Sequence, residues 1–188
     1  MELKNSKCRI EINVDETFNL GSTEHSAYDL VLNVDNYTLE DYYRVLSVSV
    51  NLFNEQYSVA LVGSGQSWSD NCAVLEGKIL TIIQDNRVIK FDLEQRIVIS
   101  TYETNLYGCA FGLYSIPDGY VIHGELEVAM YDKEFHKKWG FSGRDIFVSS
   151  NNKQAFQLLE DRVCLYDFED NYYELDYNGN QLLYLPHK

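Results

Sequence analysis

Basic residues are scarce in this chain: 15 Lys and Arg stand against 29 Asp and Glu, a formal charge of −14 over 188 residues. A surface this acidic repels the phosphates of nucleic acids and anionic membranes, and no Lys/Arg stripe gathers the few bases into a binding face. Long apolar runs are missing as well. No segment approaches the roughly 20 apolar residues of a membrane helix, and residues 1–8 hold no apolar core of a secretion signal. Proline occurs only twice, while 45% of residues are hydrophobic and 14% aromatic, which excludes a disordered chain. At this length one domain, or two very small ones, can bury a sizeable core.

The four cysteines, Cys8, Cys72, Cys109 and Cys164, are widely scattered. None forms a C-x-x-C pair and none has a histidine at zinc-ligand spacing. Each lies beside apolar residues, so they read as buried, reduced thiols. A soluble cytoplasmic protein is expected, with no metal and no cofactor.

Helical periodicity is also absent, apart from Thr38-Leu39-Glu40-Asp41, which reads as a short helix start with Thr38 as its N-cap. Strand signals dominate instead. Residues 9–15 alternate cleanly, with Ile10, Ile12 and Val14 on one face and Arg9, Glu11, Asn13 and Asp15 on the other. Further β-rich runs cover residues 28–33, 43–52, 57–62, 79–83, 88–91, 119–123, 128–131, 155–159, 163–168, 172–177 and 182–185. Turn signals separate them: Gly63-Ser64-Gly65, Asp85-Asn86, Pro117-Asp118-Gly119, Asn151-Asn152 and Asn178-Gly179-Asn180. The Asn-Gly pair predicts a type I′ hairpin turn.

A repeat is legible in the second part of the chain. Cys72-Ala73-Val74, Cys109-Ala110-Phe111 and Gln154-Ala155-Phe156 each open a segment that ends in an apolar run closed by Asp92, Asp132 or Asp176. The alanines recur 37 and 45 residues apart and the aspartates 40 and 44. A short polar turn and one more apolar stretch follow each aspartate. Four strands per unit at about 40–45 residues is the period of a propeller blade, and aspartate at the end of the third strand suits a turn whose N–H groups its carboxylate can accept.

This pattern resembles the hairpin repeats of PQQ-like and WD-type propellers, without the Gly-His and Trp-Asp signatures of true WD repeats. The runs Asn71-Cys72-Ala73-Val74-Leu75-Glu76 and Phe141-Ser142-Gly143-Arg144-Asp145-Ile146-Phe147 also resemble a group of small uncharacterised bacterial proteins, a resemblance that implies no function. The expected fold is all-β, with antiparallel four-stranded hairpin repeats and a small propeller-like architecture in one domain, 1–188. Three clear blades would cover 72–108, 109–153 and 154–188, and 1–71 would form a divergent N-terminal β region. A β-sandwich or open barrel is the rival architecture.

Candidate sites are few. The loop from Gly63 to Asp70 lacks the lysine and following helix of a phosphate-binding loop; its Trp68, with Ser67 and Asp70, is the candidate interaction surface. His123, Glu125 and Glu127 would share one face of an uninterrupted strand, within reach of acid–base work at the centre of the repeats. Gly124-Glu125 reads as a hairpin turn that breaks that face, leaving an exposed polar tip. The stretch from Asp176 to Asn180 lacks the spacing of a calcium loop, and the three acids within 167–171 read as a solvated turn. No catalytic set is expected.

The function expected is a non-catalytic protein-interaction module, with its charge steering encounter with a basic partner protein. In concrete form it would be an acidic inhibitor of that partner. The alternatives are an enzyme or small-ligand sensor with a site at the centre of the repeats, and a subunit that forms a homo-oligomer through an uncovered edge strand.

Overall fold

The computed structural model describes residues 1–22, 28–64, 69–149, 151 and 153–187. Among the described residues it contains seventeen strands and no helix, so no described helix is long and apolar enough to cross a membrane. The chain packs as two compact units, Met1–Thr101 and Tyr102–Lys188.

In the first unit, β1 (Glu2–Lys4), β2 (Cys8–Asp15), β3 (Leu30–Leu32), β4 (Tyr43–Leu52) and β5 (Glu55–Ser64) form a sheet in the order β1-β2-β4-β5-β3. Its pairings are antiparallel except for β3, which runs parallel to β5 on the edge. The divergent N-terminal region is thus a four-stranded antiparallel sheet with a fifth strand added. A second sheet joins β6 (Ala73–Glu76), β7 (Ile79–Gln84), β8 (Arg87–Asp92) and β9 (Ile97–Glu103) in sequence order.

Alternation explains why these two sheets meet. Ile10 and Ile12 of β2 are buried and pair with Val50 and Val48 of β4, which places all four on one face. On that face Leu32, Val48, Val59 and Leu61 oppose Leu80, Ile82, Ile89 and Phe91 of the second sheet. Fully burying such side chains contributes about 1.5–3 kcal/mol each. The other face of the first sheet carries a smaller cluster around Val45, Ala60 and Val62, covered by Phe18, Leu20, Tyr28, Tyr37 and Tyr43.

In the second unit, β10 (Ala110–Ile116), β11 (Gly119–Gly124), β12 (Val128–Asp132) and β13 (Lys137–Phe141) form one four-stranded sheet. Strands β14 (Phe156–Leu158), β15 (Arg162–Tyr166), β16 (Tyr172–Asp176) and β17 (Gln181–Leu185) form another. Both are antiparallel and follow sequence order. Ile116, Val121, Val128, Met130, Phe147, Phe156, Val163, Leu165, Tyr173 and Leu175 make their common core. The fold is all-β and propeller-like: three four-stranded antiparallel blade-type sheets plus the five-stranded N-terminal one, none closed into a barrel.

The repeat aspartates take up the turn role their position predicts. Asp132 Oδ1 accepts the His136 N–H at 2.8 Å and Asp176 Oδ1 the Asn180 N–H at 2.8 Å; outside the repeat pattern, Asp167 Oδ1 accepts the Asn171 N–H at 2.9 Å in the same way. In each turn the fourth residue has positive φ: Phe135 at 62°, Gly179 at 84°, Asp170 at 64°. Asp92 closes the corresponding turn of the first repeat by accepting the Glu94 and Gln95 N–H groups.

Three expectations change. The Asn178-Gly179 turn is not type I′, because only Gly179 has positive φ; Asp176 also accepts the Asn178 N–H at 2.9 Å, which keeps Asn178 out of the left-handed region. The acids at 167–171 are only partly solvated: Glu169 is exposed, but Asp167 is completely buried, accepting from Tyr173 Oη at 2.7 Å and from Asn171. Thr38 starts no helix. The Asp41 carboxylate accepts both its N–H and its hydroxyl, at 2.7 and 2.8 Å, closing a single turn just before β4.

Candidate functional site

Of the loop suggested as an interaction surface, Ser67 and Trp68 lie outside the described residues. Asp70 is exposed in the turn that precedes β6.

His123, Glu125 and Glu127 occupy three different environments. His123 pairs with Val128 across the β11–β12 hairpin, and the Gly124 N–H donates to the Glu127 carbonyl at 3.0 Å, leaving Glu125 and Leu126 as a two-residue tip. Paired residues share a face and successive residues alternate, so Glu127 and His123 point to opposite sides of the sheet. The His123 ring is buried, stacked on Phe156 at 4.9 Å and edge-on to Phe111 at 5.4 Å. Its Nε2–H donates to the Phe147 carbonyl at 3.0 Å. Burial outweighs that bond and pushes its pKa down to about 4, so the ring is neutral. Glu127 is buried with both carboxylate oxygens on Lys137 Nζ, at 2.7 and 2.8 Å. Gly140 makes room for that pair, since a Cβ there would lie 1.8 Å from Glu127 Oε1. Glu125 is half-buried at the tip. Among the described residues, no group of three or more His, Cys, Asp or Glu is placed to hold a metal.

A different part of the second unit gathers groups that face solvent. Three turns converge there: Pro117-Asp118 between β10 and β11, Glu160-Asp161 between β14 and β15, and Tyr177-Asn178-Gly179 between β16 and β17. Together with β12 and β13 they line a groove of about 420 Å³, within the 300–1,000 Å³ range of ligand-holding clefts. Its apolar side is formed by Ile116, Met130, Trp139 and Tyr177, and its polar side by Asp118, Lys138, Glu160 and Asn178.

Local structure explains how Trp139 comes to lie there. On β13 it pairs with Met130 of β12, and it donates its Nε1–H to the Tyr177 carbonyl at 2.9 Å, which ties the two sheets of the unit at this end. The Tyr177 hydroxyl donates to the Leu159 carbonyl. Gly179 lies against the indole: a Cβ there would come within 2.7 Å of the ring. Lys138 Nζ is 2.7 Å from Asp132 Oδ2, and that ion pair, with the turn N–H groups, holds the Asp132 carboxyl well below the usual carboxylate range.

Sequence reading passed over this groove. Its one available signal was Trp139 itself, seven residues after Asp132, where the sister repeats have Ile99 after Asp92 and Leu183 after Asp176. The convergence of three hairpin tips has no local signal.

No protein-family model matches the chain, and no curated protein is similar to it in sequence. Among solved structures, BamB from Moraxella catarrhalis matches at 12% identity and a TM-score of 0.47, over 77% of this chain and 49% of that one. Hsv2 from Kluyvelomyces marxianus matches at 8% identity and a TM-score of 0.36, over 78% of this chain and 62% of that one. The chain therefore spans about half the length of the first of these proteins and less than two thirds of the second.

Proposed function

We propose that this chain is a non-catalytic protein-interaction module for a basic partner protein, acting in concrete form as an acidic inhibitor of it. One contrast supports the reading. The titratable groups inside the second unit are spent on each other or on the backbone, His123 on Phe147 and Glu127 on Lys137. The acids at the hairpin tips, Asp118 and Glu160, are instead exposed beside an aromatic groove. With a charge of −14, long-range attraction speeds encounter with a cationic surface.

The test is capture of partners from the native host at low and moderate salt, followed by kinetics on the purified pair. A stoichiometric basic protein is expected, with an association rate that falls about tenfold between about 0.01 and 0.15 M salt. Capture of no stoichiometric protein, or a rate indifferent to salt, overturns the proposal. The cytoplasm is the proposed compartment, consistent with four free thiols, of which Cys72 is pushed up to about 12 by burial.

A second, weaker mode is homo-oligomerisation through an edge strand. In β17 Leu182, Leu183 and Leu185 are 50%, 37% and 52% exposed, whereas the edge strand β13 begins with two lysines, Lys137 and Lys138. Charged side chains protect an edge from pairing and apolar ones do not. Light scattering at high concentration should show self-association that Leu183→Lys removes. A wild-type chain that stays monomeric sinks this mode.

A further inference from the structure

We propose that the Trp139–Tyr177 groove is a receptor for an arginine side chain presented by the basic partner. The inference rests on the interaction reading above and gives it a place and a chemistry.

The groove combines the two surfaces a guanidinium needs. Trp139, Tyr177, Met130 and Ile116 supply an apolar and aromatic wall. The indole N–H is already committed to the Tyr177 carbonyl, so what Trp139 offers a ligand is ring surface, the best aromatic partner for a cation. Asp118 and Glu160 supply charge from two separate hairpin tips, and neither has a hydrogen-bond or ion-pair partner among the described residues. Several other acids of this unit are matched: Asp161 and Glu174 to Arg162, Asp170 to Lys153, Asp132 to Lys138. The one cation lining the groove, Lys138, is thereby offset by Asp132. Within the groove lining, what remains is two uncompensated carboxylates against an aromatic wall.

Arginine fits this chemistry better than lysine. Its guanidinium is planar, stacks on aromatic faces, forks onto carboxylates and is more weakly hydrated than an ammonium. Its methylene stem can lie along Met130 and Ile116 while the charged head meets Asp118 and Glu160.

The experiment needs no partner protein. The chain has two tryptophans, so Trp68→Phe leaves Trp139 as the sole reporter at the groove. Its emission is followed while Nα-acetyl-arginine amide is added, and then Nα-acetyl-citrulline amide, which has nearly the same shape without the charge. A saturable change with arginine at about 1 mM is expected, weakened about tenfold for citrulline and by Asp118→Asn with Glu160→Gln. A control that neutralises two exposed acids of the other unit, Glu16→Gln with Glu40→Gln, should bind arginine as before. Equal binding of citrulline, equal loss in the control, or no saturable change with arginine each overturns the proposal. Because the readout is a small molecule at one groove, salt-steered capture of a basic protein can survive its failure, and the groove can bind arginine even if no such protein is found.

Discussion

At the scale of single residues, what decides behaviour is whether a polar group is satisfied inside the fold. His123 titrates at about 4 in the folded chain against an ordinary 6.5, because burial disfavours the imidazolium. The unfolded chain therefore takes up the proton first as pH falls. Stability is complete above about pH 6.5 and lost progressively as the pH drops through the window down to about 4, to a total of about 3 kcal/mol. Denaturant titrations between pH 7 and 4.5 should show that slope, and His123→Gln should flatten it; an unchanged slope in the variant refutes the assignment. Asp132, held below the usual carboxylate range first by Lys138, and Asp176, held there by its bonds from Asn180, act in the same direction but only at lower pH. Gly179 tests the backbone. Its φ of 84° and the 2.7 Å approach of a Cβ to Trp139 predict that Gly179→Ala destabilises by at least about 1 kcal/mol and shifts Trp139 emission. At the same turn position Phe135 tolerates φ of 62° because its ring is stacked on Tyr120 at 4.7 Å and Tyr102 at 5.0 Å. Phe135→Gly relieves the backbone but removes that stack, so a net loss of about 2 kcal/mol is expected in chemical denaturation.

At the scale of elements, the strands were the readable part. The alternation of Ile10, Ile12 and Val14 against polar neighbours names the buried face of β2, and the long run over β4 matches its observed bounds. A strand edge or a two-residue turn is a local property, encoded by alternation and by φ-permissive residues. The turn at Asn178-Gly179 shows where local reading stops. That dipeptide suits type I′, yet Asp176 two residues earlier recruits the N–H groups of Asn178 and Asn180 and selects another geometry. In the same five-residue form at 167–171 the capping Asp167 and Asn171 are buried, so the same turn geometry carries unequal weight. Asp167→Ala leaves the Tyr173 hydroxyl and the Asn171 side chain short of an acceptor and should cost about 2–3 kcal/mol. Asp92→Ala, at an exposed turn, should lower the thermal midpoint far less. Equal losses at the two positions would show that the buried network adds nothing.

At the scale of the whole molecule, the dominant quantity is charge. With pI near 4.5, the chain loses its mutual repulsion close to that pH, where the exposed leucines of β17 are free to associate. Light scattering should rise to a maximum near pH 4.5, and Leu183→Lys should reduce it; a flat profile means that edge is inert. Net charge, the absence of helical and membrane-spanning runs, the blade-length period and the aspartate that ends each third strand are all additive or short-range properties, and the amino-acid order carries them without help from folding. The opposite faces of His123 and Glu127, the burial of Asp167 and the meeting of Asp118, Trp139, Glu160 and Tyr177 in one groove are different in kind. They depend on which hairpin register forms and which turns reach the same end of two packed sheets, and residues up to sixty positions apart in the chain have no local pattern that announces their meeting.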